Sequence, residues 1–173
     1  IQPFLDLGEL LGNLISQLNN ETINSILIEC QGNIEEVKPI SLATLKGILS
    51  PNLPDRVNYI NVEAIAKELG LNVEVRSNNV DSNYNNLISL KVMTNSKTFQ
   101  LDGSIFNDMK PRLVNVLGRK MEVTPKGTML FIENIDVPGV IGKVGKTLGD
   151  KNINIAAYLL NRSNRDGKAF AVI

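Results

Sequence analysis

The chain has 173 residues, of which 43% are apolar, and its 18 basic residues balance its 18 acidic residues. That length can bury one good core or two small ones, and the neutral charge argues against nucleic acid or an anionic membrane as the main partner. No apolar run is long enough to span a bilayer. Cys30 is the only cysteine, which excludes an internal disulfide, so we expect a reducing, cytoplasmic compartment.

The first predicted element is an amphipathic helix over residues 1–20. Gly8 and Gly12 lie one turn apart in it, which favours close packing against another helix or a sheet. On the residue pattern alone, this is the first helix of a domain. Its apolar positions are Leu7, Leu10, Leu11, Leu14, Ile15 and Leu18.

Residues 21–125 mix strand and helix patterns. Loops are expected at the prolines over 51–54 and in the polar stretch 77–86. The pattern indicates a small mixed α/β domain that ends at the turn over 125–127. The predicted strands cover 22–29, 72–76, 87–94, 97–106, 112–117 and 120–123, and the predicted helices cover 41–49 and 61–70.

Four basic residues of this region and its boundary lie at predicted strand ends and turns. They are Lys110, Arg112, Arg119 and Lys126. They could converge on an anion, or they could be solvated basic side chains of an ordinary surface.

The most informative stretch, residues 129–160, reads as strand, helix, strand. An apolar run over 129–132 predicts the first strand, and Pro138 fits the first turn of the helix, where its missing N–H costs nothing. Gly149 or Asn152 can end the helix, and alternating apolar residues over 153–159 predict the second strand.

Gly142, Gly145 and Gly149 fall on neighbouring turns of this helix. Each costs roughly 1 kcal/mol relative to alanine inside a helix. We therefore expect something to approach the helix closely: the sheet, another helix or a partner chain.

Polar residues gather where the first strand meets the helix. The helix N-terminus presents free N–H groups and a partial positive charge beside Asn134 and Asp136, an arrangement that suits a zwitterion. Asn154, predicted to open the second strand, could complete the set. Alternatively, Asp136 only caps the helix and Asn154 only holds a turn.

Two nucleotide-binding motifs can be rejected for this stretch. The sequence Gly145-Lys146-Thr147 resembles the end of a P-loop, but Val140 occupies the position of the required first glycine. Gly139, Gly142 and Gly145 are spaced by three throughout, which does not fit the dinucleotide pattern G-x-G-x-x-G.

The run D-V-P-G-V-I-G over 136–142, followed by V-G at 144–145, L-G at 148–149 and N-I-N-I-A over 152–156, resembles an ACT domain. More narrowly, it resembles the C-terminal regulatory region of long-form D-3-phosphoglycerate dehydrogenases. The pattern L-K-G-I-L-S over 45–50, with V-N at 57–58 and the helix over 61–70, resembles the extra regulatory domain of the same family. A related domain occurs in iron–sulfur L-serine dehydratases.

The resemblance implies an α+β protein in three parts. Residues 1–20 would form a linker helix that packs on the regulatory domain, and 21–125 would form the intervening, allosteric substrate- or anion-binding domain. Residues 126–173 would form a ferredoxin-like βαββαβ ACT domain, incomplete at its C-terminus. Catalytic domains are expected upstream of Ile1, because the chain starts without Met.

The resemblance also implies feedback sensing. The ACT domain would bind L-serine and pair with a second copy, and the basic residues named above would bind phosphate or a substrate-like anion. No catalytic residue, metal or cofactor is expected in this chain, whereas the full enzyme would use NAD. The implied serine-binding residues are Asn134, Asp136, Val137, Gly139, Val140 and Asn154.

Two alternatives stay open on the sequence. One is a regulatory chain of an iron–sulfur L-serine dehydratase. The other is a non-catalytic ACT-type dimerisation module that binds no amino acid.

Overall fold

The chain divides into two compact units, as seen in a computed structural model that describes residues 1–53, 56–78, 83–162 and 166–173. The first unit is Ile1–Glu122 and the second is Val123–Ile173. Both mix helices and strands, which confirms the predicted α+β class. Parts of the predicted loops at 51–54 and 77–86 lie outside the described residues.

The first unit begins with a helix and continues with a six-stranded sheet into which two more helices are inserted. Its elements are α1 (Gln2–Leu18), β1 (Ile23–Gly32), α2 (Val37–Leu49), α3 (Val62–Glu68), β2 (Asn72–Asn78), β3 (Asn86–Thr94), β4 (Thr98–Ile105), β5 (Pro111–Val116) and β6 (Arg119–Val123).

The six strands lie in the order β2-β1-β3-β4-β5-β6. β1 and β2 are parallel, with Ile26 opposite Val73, whereas β1 and β3 are antiparallel. A parallel pair needs a long crossover connection, and the chain supplies one through α2 and α3. The remaining strands follow one another as antiparallel hairpins, the shortest route between neighbours.

One face of this sheet carries the core. Ile26 and Ile28 of β1 alternate inward with Leu90 of β3, and each is at most 1% exposed. α1 lies against this face, because a Cβ added to Gly103 of β4 would come within 2.6 Å of Leu7. The apolar side chains predicted on one face of the first helix thus pack on the sheet, and α1 covers its core face.

α1 and α2 pack unusually closely. A Cβ added at Gly12 would lie 2.2 Å from the carbonyl oxygen of Thr44, and one added at Gly47 would lie 2.2 Å from that of Glu9. Gly8 faces Thr44 one turn earlier. The predicted close packing at Gly8 and Gly12 is therefore confirmed, and Gly47 is its counterpart on the second helix.

The second unit is a three-stranded antiparallel sheet with one helix, in the order β7-β9-β8. With the helix between its first two strands, this order matches the first four elements of a βαββαβ module. Its elements are β7 (Phe131–Ile135), α4 (Val140–Asp150), β8 (Leu159–Arg162) and β9 (Lys168–Val172).

The end of α4 explains why one predicted strand is wrong. The N–H of Ile153 donates to the carbonyl of Leu148 and that of Asn152 to Gly149, while Asn152 adopts a left-handed φ of 57°. This is a Schellman cap, which confirms Asn152 as a helix terminator. Because Ile153 belongs to the cap, no strand begins there, and β8 starts only at Leu159.

The three glycines of α4 face open space. A Cβ added to Gly142, Gly145 or Gly149 would meet nothing within 4 Å. No residue of α4 is buried. The expected close approach of the sheet to these glycines is therefore wrong, whereas the approach of another helix or of a partner chain stays a prediction.

Candidate functional site

The start of α4 presents uncapped N–H groups. Gly139 is the N-cap residue, with a left-handed φ of 91°, and no side chain hydrogen-bonds the first turn. The N–H of Lys143 is the first to donate to the carbonyl of Gly139. The amides of Val140, Ile141 and Gly142 therefore carry the partial positive charge of the helix end without an intrahelical acceptor.

A cavity of about 100 Å³ opens at this helix start. It is smaller than the roughly 300–1,000 Å³ of drug-sized ligand sites, so it suits a small ligand. It is lined by Asn134, Asp136, Val137, Pro138, Gly139, Val140, Ile141, Gly142, Tyr158, Leu160, Arg162 and Ala169.

Opposite charges meet in the cavity lining. Nε of Arg162 lies 3.2 Å from Oδ2 of Asp136, and the two side chains are 63% and 30% exposed. Exposed pairs of this kind contribute about 1 kcal/mol or less. A ligand with its own ammonium and carboxylate can therefore separate Asp136 from Arg162 and bind each of them, at a free-energy cost of about 1 kcal/mol or less.

Local geometry holds the neighbouring groups in position. The N–H of Asp136 donates to the carbonyl of Gly167 at 2.8 Å, which ties the strand-to-helix loop to the start of β9. The side-chain amide of Asn134 donates to the carbonyl of Ile135 at 2.7 Å, which leaves its oxygen to act as an acceptor.

The structure brings together five of the six predicted serine-binding residues, all except Asn154. Asn154 is exposed in the segment between α4 and β8 and does not line the cavity. The expectation that it opens a strand is wrong, because α4 ends in a cap that extends to Ile153.

Sequence reasoning missed Tyr158 and Arg162. Leu160 and Arg162 alternate along β8 and both line the cavity. Period-two spacing from Tyr158 to Arg162 is the signal that could have found them, but the apolar alternation over 153–159 predicts the second strand several residues too early. The sequence also predicts a loop over 162–167, which falls partly outside the described residues.

Of the predicted anion-binding residues in the first unit, the structure brings Lys110 and Arg112 together but not Arg119. Lys110 and Arg112 lie together at the turn from β4 to β5, where Arg112 contacts Asp108 at 3.2 Å and stacks over Phe106. Arg119 starts β6, at the opposite end of the β5–β6 hairpin from Arg112. Lys126 belongs to the second unit.

The Asp108 carboxylate already binds the Arg112 guanidinium and the Lys110 N–H at that turn. The N–H of Lys110 and then the Arg112 guanidinium hold the pKa of the Asp108 carboxyl below its ordinary value. An external anion at Arg112 would therefore compete with a carboxylate of the same chain.

The residues that the structure describes contain neither a metal-binding cluster nor a membrane-spanning helix. No group of three or more His, Cys, Asp and Glu side chains lies close enough to hold a metal ion. No helix in those ranges combines the length and the apolar character that crossing a membrane requires.

Comparison with known proteins gives the family. Residues 1–117 match the D-3-phosphoglycerate dehydrogenase intervening domain. D-3-phosphoglycerate dehydrogenase of Bacillus subtilis is 31% identical over 175 residues, and that of Methanocaldococcus jannaschii is 34% identical over 175 residues. Each alignment covers 100% of this chain and 33% of the relative.

D-3-phosphoglycerate dehydrogenase of Synechocystis is 32% identical over 176 residues, which again cover 100% of this chain and 32% of the relative. The chain thus spans about a third of the length of these relatives. The matches favour the phosphoglycerate dehydrogenase interpretation over the dehydratase alternative. Because the family match covers more than half of the sequence, this chain belongs to the D-3-phosphoglycerate dehydrogenase intervening domain family.

Proposed function

We propose that this chain is the C-terminal regulatory part of a D-3-phosphoglycerate dehydrogenase and that the cavity at the start of α4 binds L-serine. In the full enzyme, catalytic domains upstream would oxidise 3-phosphoglycerate with NAD in the cytoplasm. Serine, the end product of that route, would inhibit by feedback. One observation carries the proposal: free helix N–H groups and an exchangeable Asp136–Arg162 pair line the same small cavity.

Each end of a zwitterion finds a partner in this cavity. The ligand carboxylate would accept hydrogen bonds from the amides of Val140 and Ile141 and from the guanidinium of Arg162. The ligand ammonium would bind the Asp136 carboxylate and the oxygen of Asn134. The small volume favours a short side chain such as that of serine.

Asn154 would take part only across a self-associated pair. It is exposed and lies outside the cavity of its own chain. We propose that a second copy covers α4, whose glycines face open space, and that this arrangement lets Asn154 reach the ligand of its neighbour. Serine bound between two copies would favour one arrangement of the subunits and so change activity elsewhere.

Anion binding at Lys110 and Arg112 is the second part of the proposal. Both lie at one turn, so a phosphate or a substrate-like anion that displaced Asp108 would meet two cations. Arg119, at the other end of the β5–β6 hairpin, and Lys126, in the second unit, are not assigned to this turn.

Isothermal titration calorimetry with L-serine tests the sensing function. Asp136→Ala should weaken binding about tenfold or more, because it removes a charged hydrogen-bonding partner. Asp150→Ala removes a carboxylate from the other end of α4, where Asp150 pairs with Lys146, and should leave the affinity unchanged. If the affinity of Asp136→Ala for L-serine equals that of the wild type, Asp136 does not bind the ligand.

A dimerisation module that binds no amino acid is the surviving alternative. A thermal-shift screen of the free amino acids separates it from a sensor, because any ligand of the native state raises the melting temperature. If no amino acid raises it, the sensing function is wrong and self-association remains.

A further inference from the structure

One wall of the α4 cavity has no part in holding the carboxylate and ammonium of the ligand. It is formed by the segment that leads into β8, where Tyr158 and Leu160 line the cavity together with Arg162. Residues two apart in an extended chain point to the same face of a sheet, so these three side chains form one row. Four extended residues span roughly 13 Å, which puts Tyr158 and Arg162 at opposite ends of this row.

A small residue keeps the floor of the cavity open. Ala169 of β9 lies between Asn134 of β7 and Arg162 of β8, because it pairs with both residues in the register of the sheet. Ala169 is buried and lines the cavity. Its methyl group leaves space between the longer side chains on either side. A ligand seated there would rest on an apolar floor with polar groups at its edges.

Four polar side chains line the cavity among the residues that the structure describes, and three of them already have partners. Asp136 and Arg162 form the ion pair, and the side-chain amide of Asn134 donates to the carbonyl of Ile135. Tyr158 is half-buried, and its hydroxyl makes no hydrogen bond with any part of the chain that the structure describes. A tyrosine hydroxyl in such a position usually has a partner, so a ligand can supply the missing one.

We propose that Tyr158 determines which amino acid the cavity selects, by hydrogen-bonding the hydroxyl group of the ligand side chain. This inference rests on the proposed function, in which the helix start, Asp136 and Arg162 hold the carboxylate and ammonium that all amino acids share. The ligand side chain then points toward the other end of the row, where the Tyr158 hydroxyl can donate or accept. An aliphatic side chain of similar size would cover that hydroxyl and leave it unpaired, which disfavours such a ligand.

Calorimetry with L-serine and L-alanine isolates this hydrogen bond, because the two ligands differ by one hydroxyl group. The wild type should bind L-serine about fivefold or more tightly than L-alanine. Tyr158→Phe keeps the ring and removes its hydroxyl, so it should weaken L-serine binding about fivefold and leave L-alanine within about twofold of the wild type.

Tyr59→Phe is the matched control for this substitution. It removes a hydroxyl from the first unit, where Tyr59 donates to Glu9 at 3.0 Å and does not line the α4 cavity. It should change neither affinity. Tyr158→Leu, a second variant without the hydroxyl, should also abolish the preference for L-serine, should Tyr158→Phe fail to fold.

The ratio of the two affinities distinguishes the possible outcomes. If Tyr158 only supports the wall, its substitution changes both affinities equally and the preference for L-serine persists, which would overturn the inference while the proposed function stands. A wild type that binds both ligands equally well would overturn it too. If the wild type binds neither ligand, the proposed function fails and this inference fails with it.

Discussion

The carbonyl oxygen of Thr44 on α2 occupies the place where a side chain at position 12 of α1 would begin. A Cβ built on Gly12 would come within 2.2 Å of that oxygen, which is closer than a Cβ approaches any non-bonded atom in real structures. The contact involves backbone on both helices, so no rotamer change can relieve it. The crossing of α1 over α2, and with it the covering of the sheet, depends on the absence of a side chain at this position.

Gly12→Ala should destabilise the first unit. Overpacking typically costs about 1–3 kcal/mol, and the better helix propensity of alanine recovers about 1 kcal/mol. Because the clash is with backbone, the upper end of that range applies, and we expect a net loss of about 2 kcal/mol in the free energy of unfolding, measured by urea denaturation.

Gly8→Ala in the same helix is the matched control. Its added Cβ would lie 2.8 Å from the side-chain oxygen of Thr44, which would have to give up its hydrogen bond to the Ile40 carbonyl, and 3.1 Å from that carbonyl. The loss should therefore be smaller, within about 1 kcal/mol of the wild type. Equal losses in the two variants would contradict the account of the crossing.

Arg162→Met should weaken L-serine binding about tenfold while the affinity for serinamide, which has no carboxylate, stays the same. The reason is that the proposed role of Arg162 is to bind the ligand carboxylate. Calorimetry with both ligands measures the difference. If both affinities fall equally, Arg162 acts only by positioning Asp136, to which it is bound at 3.2 Å.

Cys30 should be unreactive toward a thiol reagent in the native chain and reactive in concentrated guanidinium chloride. Burial, followed by the nearby Glu29 carboxylate, raises the pKa of the Cys30 thiol to about 11. The thiol is 1% exposed, so the thiolate, which is the reactive form, is both rare and shielded. Rapid modification of the native chain at neutral pH would show that β1 opens readily.

The same shift predicts how stability depends on alkaline pH. The native state holds the proton more tightly than the unfolded state, so this contribution is complete below the ordinary value of about 9 and is lost as pH rises toward about 11. Urea denaturation of the wild type across this range should show a steeper decline than that of Cys30→Ala. Parallel curves would mean that Cys30 does not contribute.

Gly145→Leu should weaken self-association if a second copy packs on α4. The added side chain has open space within its own chain, so the fold should be unaffected. Lys146→Leu adds a similar apolar side chain at a neighbouring position that is 75% exposed and serves as the control. Sedimentation equilibrium measures the association constants of the two variants. Identical constants would show that the face of α4 with Gly142, Gly145 and Gly149 is not part of the interface.

Local patterns in the sequence determined most of the element inventory. Local patterns predicted both strands of the β3–β4 hairpin and the helices α1 and α4, because these signals depend only on neighbouring residues. The strand-to-helix corner with Asn134 and Asp136 was also visible, since a strand, a polar loop and a helix start are consecutive in the chain. The predicted contact at Gly8 and Gly12 followed from their spacing alone.

Only the tertiary structure decided which distant residues share a site. Arg162 enters the α4 cavity because β8 pairs with β9 at a register that no local pattern encodes, and Asn154 is left outside because a helix cap occupies the residues before it. Arg112 and Arg119 are separated because a hairpin places the starts of its two strands at opposite ends. A second cavity, of about 440 Å³, arises where the ends of α1, α2 and α3 meet the start of β1. Propensity and periodicity are properties of short segments, whereas strand register and the meeting of helix ends depend on packing across the whole unit.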